Sequence, residues 1–385
     1  MKTSSLARRV RVEIDLAALV GNYRKIAAHV RPAEVLCVLK ANAYGLGVAA
    51  YARALADAGC TRFGVAEPFE ALELLNVLGK GKDAPRVQML SSVLPDEIEP
   101  MVRAGVILPI IDTESARLIS AAAVRTRKTA TVHLKIDTGM GRLGVLAHDA
   151  ISTMREIASL PNLDMEGVFT HFPVAFDPEN PFTRQQIEVF TSLLAEAKSN
   201  GFAFRAVHVA ASDAINNFPA CAKPPFTLVR AGINLHGSFD PNGRKALKVE
   251  PVLTLKTRVA QVRTLPAGST LGYGRTWCLS APTRIATISA GYADGLPLAL
   301  ANRGHVLISG KVCPVVGRVS MDYATVDVSA VPAVKPGDEV ICLGRSGRHS
   351  VTPDDWARLK GTHAYEIICS LGSRVERVVV NSSTK

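Results

Sequence analysis

The sequence predicts an eight-stranded (β/α)8 barrel of the TIM-like α/β class, followed by a second, mainly antiparallel β domain. Three observations predict it. Eight short apolar runs recur through the first two-thirds of the chain, helical patterns lie between successive runs, and after about residue 245 strands separated by Gly and Pro turns take over. Near-continuous apolar strands alternating with helices mean a parallel sheet covered on both faces. Eight of them favour a closed barrel over an open sheet.

The elements follow in order. Asp15 caps LAALVGNYRKIAAHV, whose Leu16, Leu19, Tyr23, Ile26 and Val30 form one stripe. The eight runs are VLCVLK (35–40), RFGVAE (62–67), RVQML (86–90), VILPII (106–111), TVHLKID (131–137), MEGVFTH (165–171), AVHVA (206–210) and TLVRAG (227–232). Among the helices, FEALELLNVL (69–78) puts Phe69, Leu72 and Leu75 on one face. TESARLISAAAV (113–124) opens on an N-cap-like Thr113, and the pattern over 179–201 ends at a Gly stop. Beyond 245 the strands are VLTLKTRVAQVRTL, TRIATISAG, GHVLISGKVCPVVGRVSMDYATVDVS and DEVICLG, with short helices near 353–361 and 364–370. The barrel is therefore drawn over 11–245 and the β domain over 246–385, with residues 1–10 free to join the latter.

Composition narrows the class. The chain has 385 residues, 48% of them hydrophobic and 21% charged, which specifies packed globular domains. Its net charge of +11 suits anionic ligands, but the basic residues are scattered and no aromatic–basic interleaving marks a nucleic-acid surface. The seven cysteines are far apart with no C-x-x-C pair, so reduced, mostly core thiols in a cytosolic protein are expected. MKTSSLARRVRVEID lacks the apolar stretch of a signal peptide, and no uncharged run approaches a membrane span. No metal is called for.

Chemistry in a barrel of this kind sits at the C-terminal strand ends. The unusual residues at those ends are Lys40, Lys135 with Asp137, Arg142 in the glycine-rich TGMGRLG, His171, Ser212, and Arg230 with Gly232. Each has a plain structural reading. Lys40 can snorkel into water, His171 can be a satisfied half-buried ring, Ser212 can cap a helix, and Gly232 can serve a turn. As a set they place two lysines, two arginines, a histidine and a serine around one mouth, which a scaffold does not require. Ser212 and the N–H groups of Gly232 and Ile233 would cradle a phosphate. An amine at Lys40, with its pKa lowered by burial, suits Schiff-base chemistry. Phosphate, aldehyde and aromatic ring together describe pyridoxal phosphate. A phosphosugar lyase on the same fold would share the lysine and the cradle but leaves the second domain unexplained.

Eight motifs in order, VLKANAYGLG, IDTGMGRLG, THF, VRAGINLHG, LGYGRTW, GYADG, GRVSMD and THAYEIICSLGSRVER, span residues 38–377 and resemble alanine racemase. The resemblance implies a homodimer that uses pyridoxal 5'-phosphate to interconvert L- and D-alanine, supplying D-alanine for peptidoglycan. It implies that Lys40 holds the cofactor and acts as one of two bases, and that Tyr273, reaching in from the partner subunit, is the other. Two-sided proton transfer needs such a pair. Arg230 matches the partner of the pyridine nitrogen: a guanidinium has donors only, so the nitrogen stays an unprotonated acceptor. Arg142 and Met321 match contacts to the substrate carboxylate, Asp322 is the neighbour of Met321, and Lys135 matches a lysine often carried as a carbamate. Tyr44, Ser212, Gly232, Ile233 and Tyr365 fall where the family binds the phosphate. His171 matches the histidine beside the ring and Tyr292 the tyrosine narrowing the entrance.

The chain departs from the family pattern at Ala211, where Asn is usual, at His236, where LYG reads LHG, and at Leu298, where Arg is common. None touches the lysine–tyrosine pair; they bear on cofactor affinity and substrate breadth. The alternatives are a broader amino-acid (serine) racemase, a non-catalytic cofactor-binding protein, and a decarboxylase of similar architecture. The last typically places an acid where Arg230 stands here.

Overall fold

The computed structural model describes residues 7–380 apart from 80, 82, 241, 242, 244 and 245. Eight parallel strands carry the first two-thirds of the chain: Glu34–Val38, Arg62–Val65, Arg86–Met89, Leu108–Ile110, Ala130–Asp137, Leu163–Phe169, Ala206–His208 and Leu228–Ala231. They pair in sequence order as two four-stranded groups, and the first strand pairs back onto the eighth. Backbone bonds join the groups at both seams, from Met89 to Ile107 (2.9 Å) and from Thr227 to Val207 (2.9 Å). The sheet is closed.

Strand alternation sorts the side chains. Cys37, Val87, Val132, Val168, Val207 and Val229 face outward into the main core beneath the helices. The inward positions hold a small separate cluster, Leu36, Val38, Ala206 and Leu228. Beside it the same inward period carries Gln88, His133, Lys135, His208 and Arg230, all buried. A polar lining thus fills one side of the barrel.

The second domain is built on Leu253–Leu265, a strand that pairs antiparallel with Glu339–Ser346, Thr283–Ile288 and Arg11–Asp15. Short helices Pro353–Lys360 and Ala364–Cys369 precede the last strand, Glu376–Val380. One expectation is corrected here. Arg11–Asp15, placed with the barrel from sequence, lies between Leu253–Leu265 and Glu376–Val380 in the β-domain sheet. A five-residue strand has no preferred sheet of its own; pairing decides. Of the segment 1–10, residues 1–6 lie outside the described residues, and the Val10 carbonyl accepts from Glu376 (3.1 Å). The 245/246 boundary likewise falls beside residues that are not described.

Helix phase brings two further corrections. Asp15 does cap Leu16–Val30, accepting from Ala17 and Ala18. Pro68–Leu78, however, buries Glu70, Ala71, Leu74 and Leu75 and leaves Phe69 and Leu72 exposed. A capping box of Glu67 with Glu70, and Pro68 in the first turn, set that phase. The helix Thr113–Thr126 takes Asp112, not Thr113, as its N-cap, with Ser115 answering it. All seven cysteines are free, five of them buried. No described helix is long and apolar enough to cross a membrane.

Candidate active site

Lys40 stands two residues beyond its strand, at the head of a short turn, Lys40–Gly45. Ala41, Asn42, Ala43 and Tyr44 all have positive φ, between 52° and 58°. A left-handed turn of L-residues costs on the order of 1–2 kcal/mol per residue, so surrounding contacts must impose it. Glu70 accepts from Ala41, and also from Ala66 (3.0 Å) and Glu67 (3.1 Å). The Asn42 side chain accepts from Val48 (2.7 Å), and Arg377, from the last strand, donates to the Gly45 carbonyl (3.0 Å). The turn holds the Lys40 amine and the Tyr44 phenol at one mouth.

Across that mouth lies the cradle. Ser212 begins the helix Ser212–Asn217 and accepts from the Gly232 N–H (3.1 Å) while donating to Asn234 (3.1 Å). A Cβ at Gly232 would lie 2.6 Å from the Tyr44 hydroxyl and 3.6 Å from the Ser212 hydroxyl, so only glycine leaves this corner open. Tyr365 closes it, its ring 5.9 Å from that of Tyr44. Burial holds both phenols well above the ordinary tyrosine range, so both remain neutral donors. Ile233 is fully buried behind them.

Arg230 stands on the strand Leu228–Ala231 that leads into Gly232. Its Nη1 donates to the His208 carbonyl (3.0 Å) and contacts His208 Nδ1 (2.9 Å). Its Nη2 donates to the Thr170 and Val209 carbonyls (2.8 and 3.0 Å) and contacts His171 Nδ1 at 3.2 Å. Among the described residues no protein acceptor takes its Nε–H. Burial lowers its pKa to about 9, which still leaves the guanidinium charged at neutral pH. His171 is pushed well below the imidazole range by burial and then by Arg230, so it is a neutral ring.

Lys135, one strand over, donates to the Leu90 carbonyl (3.3 Å) and stands over the Phe169 ring. Burial, then Arg142 and Arg230, bring its pKa down to about 8. Arg142 is exposed on the glycine-rich loop. That loop is pinned because Asp137 accepts from Gly139 (2.8 Å) and Gly141 (3.0 Å). Lys40 is itself lowered by burial and then by Arg142.

Ten of the fourteen predicted residues therefore meet at one mouth: Lys40, Tyr44, Lys135, Arg142, His171, Ser212, Arg230, Gly232, Ile233 and Tyr365. Four do not. Tyr273, Met321, Tyr292 and Asp322 belong to the β domain, and Tyr273 is 74% exposed with no bond to its own barrel among the described residues. Asp322 accepts from Arg374 (2.6 Å). Sequence reasoning missed Glu70, Thr170, His208 and Arg377. His208 had a signal of its own, an imidazole at an inward position of AVHVA, while Thr170 and Arg377 stood inside the motifs THF and THAYEIICSLGSRVER without a role being read for them.

The comparisons decide the family. The descriptions "Alanine racemase, N-terminal domain" and "Alanine racemase, C-terminal domain" match residues 14–240 and 252–379. The chain belongs to the alanine racemase family. An alanine racemase of Carboxydothermus hydrogenoformans is 39% identical over 375 residues, covering 97% of this chain and all of that protein. One from Syntrophobacter fumaroxidans is 38% identical, covering 94% and 95%. Among solved structures, alanine racemase from Streptomyces lavendulae superposes with a TM-score of 0.90 at 33% identity, covering 98% of each chain. The Bartonella henselae alanine racemase, solved with covalently bound pyridoxal phosphate, gives 0.86 at 30% identity, covering 97% of this chain and all of that one. The residues here fit that cofactor. A glycine corner beside two neutral phenols and a serine suits a phosphate, and a buried donor-only Arg230 with a free Nε–H suits an unprotonated ring nitrogen.

Proposed function

We propose that this chain interconverts L- and D-alanine with pyridoxal phosphate, with Lys40 serving one face of the substrate α-carbon and Tyr273 of a second copy serving the other. The observation that carries the reading is the mouth itself: the Lys40 amine shares it with a phosphate-shaped corner at Gly232 and with a buried Arg230 two residues before that corner. When bound, the cofactor supplies an aldehyde for that amine and a ring that draws electron density from the α-carbon.

The chain's own residues do the rest. Lys40, lowered by burial and by Arg142, gives up its proton more readily than a free lysine and so can take one at Nζ. Arg142 offers a fork of donors to the substrate carboxylate. Lys135, at about 8, presents a larger neutral fraction than an ordinary lysine, the form that takes up carbon dioxide. Its carbamate would put an anion beside Arg142. Tyr44, Ser212, Gly232, Ile233 and Tyr365 would hold the phosphate, and His171 would lie beside the ring.

The exposed side chains of the β domain support a homodimer with shared sites. Tyr273, Trp277, Tyr292, Met321 and Tyr323 are large, partly apolar and uncovered. Exposed in one copy, they are available to meet a second copy of the chain. The cellular role we propose is D-alanine supply for peptidoglycan in the cytoplasm.

The test is L-alanine with purified protein and pyridoxal phosphate in heavy water, read by chiral chromatography and mass. D-alanine labelled at the α-carbon supports two bases. Label in L-alanine without D-alanine would refute the role of Tyr273, and no exchange would refute the reading.

A further inference from the structure

A chain of buried polar groups runs down the inside of the barrel, away from the mouth. His208 Nδ1 is 2.9 Å from Arg230 Nη1, and His208 Nε2 is 2.9 Å from His133 Nδ1. His133 Nε2 is 3.3 Å from Glu166, which also accepts from Arg86 (2.8 Å) and Arg62 (3.1 Å). Gln88 Nε2 shares His133 Nδ1 at 3.0 Å. Both imidazoles are fully buried and Glu166 is 1% exposed.

Donor counting fixes every proton. A guanidinium only donates, so His208 Nδ1 accepts and His208 is neutral with its proton on Nε2. That proton is donated to His133 Nδ1, which leaves His133 neutral with its proton on Nε2. Glu166, an ionised carboxylate, takes the last bond. Reversal would require two donors to meet at Arg230. Burial lowers the pKa of both rings, which agrees with neutrality.

The site is built for this geometry. A register shift falls between Val132 and His133, and a Cβ at Gly167 would lie 2.8 Å from the His133 ring. Glycine and bulge together make room for an imidazole where a strand would ordinarily place an aliphatic side chain.

We propose that Glu166 is a positioning residue for Arg230, acting through His133 and His208 as a one-way hydrogen-bond wire. The arrangement gives the buried guanidinium a distant carboxylate without placing an acid beside the ring nitrogen. This rests on the reading of Arg230 as the partner of that nitrogen.

The test has two parts, both on the holoenzyme. With 15N-labelled histidine, long-range 1H–15N spectra at pH 7 should show His133 and His208 as neutral rings protonated on Nε2, assigned through single His→Asn variants. A proton on Nδ1 of either ring, or a charged ring, overturns the wire whatever reaction the protein catalyses. Glu166→Gln replaces an acceptor-only end with one that can also donate. Side transamination per racemisation turnover should then rise by about threefold or more, the scale of coupling that remote positioning residues carry. An unchanged ratio in a variant that keeps its cofactor absorbance overturns the role of Glu166. Should that variant fail to fold, the wild-type spectrum still decides.

Discussion

Lys135 carries a charge that the fold tolerates poorly. Only 5% exposed, it sits near Arg142 and Arg230 with one carbonyl acceptor. Its pKa falls from 10.5 to about 8, so holding it protonated costs the folded state about 3 kcal/mol. The sign follows from linkage. Below pH 8 both folded and unfolded chains bind the proton and the cost is present in full. Between pH 8 and about 10.5 the unfolded chain binds more protons, so stability rises with pH across that window. Lys135→Met keeps the volume, removes the charge, and loses the bond to Leu90, worth about 1 kcal/mol. At pH 7 the variant should therefore be more stable than the wild type by about 2 kcal/mol. Near pH 10.5 it should be less stable by about 1 kcal/mol. Urea denaturation of the cofactor-free protein, in buffer stripped of carbon dioxide so that the amine stays unmodified, measures both. A difference that does not change with pH would refute the reasoning.

Three other variants probe separate parts of the site. Gly232→Ala drives a methyl to within 2.6 Å of the Tyr44 hydroxyl, so cofactor affinity should fall by about tenfold or more, read by absorbance titration. Tyr273→Phe should keep the cofactor and the fold while racemisation falls on the order of 10²–10⁴-fold, the usual worth of a general acid–base group. Glu70→Ala strips three backbone N–H groups of their acceptor and should destabilise the protein by about 3 kcal/mol, checked by its urea midpoint.

How far the sequence could be read depended on the kind of information each element carries. The strand count was legible because near-continuous apolar runs need no partner to be seen. So was the set of strand-end cations, since Lys40, Arg142, His171 and Arg230 each break an apolar pattern at a place where barrels do chemistry. The phase of Pro68–Leu78 was misread because Phe69 and Leu72 look like core, whereas Glu67 and Glu70 set the phase through the cap and Glu70 is buried for its bonds to the lysine turn. The polar interior had a signal, a Gln, two His and an Arg at alternate positions of RVQM, TVHLKI, AVH and LVRA, that reading the mouth alone passed over. The left-handed turn had none. Nothing in KANAY announces positive φ, because Glu70 and Arg377, far away in the chain, impose it.

That last dependence reaches the ribosome. Arg377 donates to the carbonyls of Gly45, Leu371 and Gly372, tying the lysine turn to the final strand, while the opening strand Arg11–Asp15 waits for that same strand as its neighbour. A nascent chain can therefore complete all eight barrel strands and still lack one of the contacts that hold the lysine turn. Glu70 and Asn42 can hold their side of the turn before then, whereas the bond to Gly45 forms only once the strand carrying Arg377 has been made.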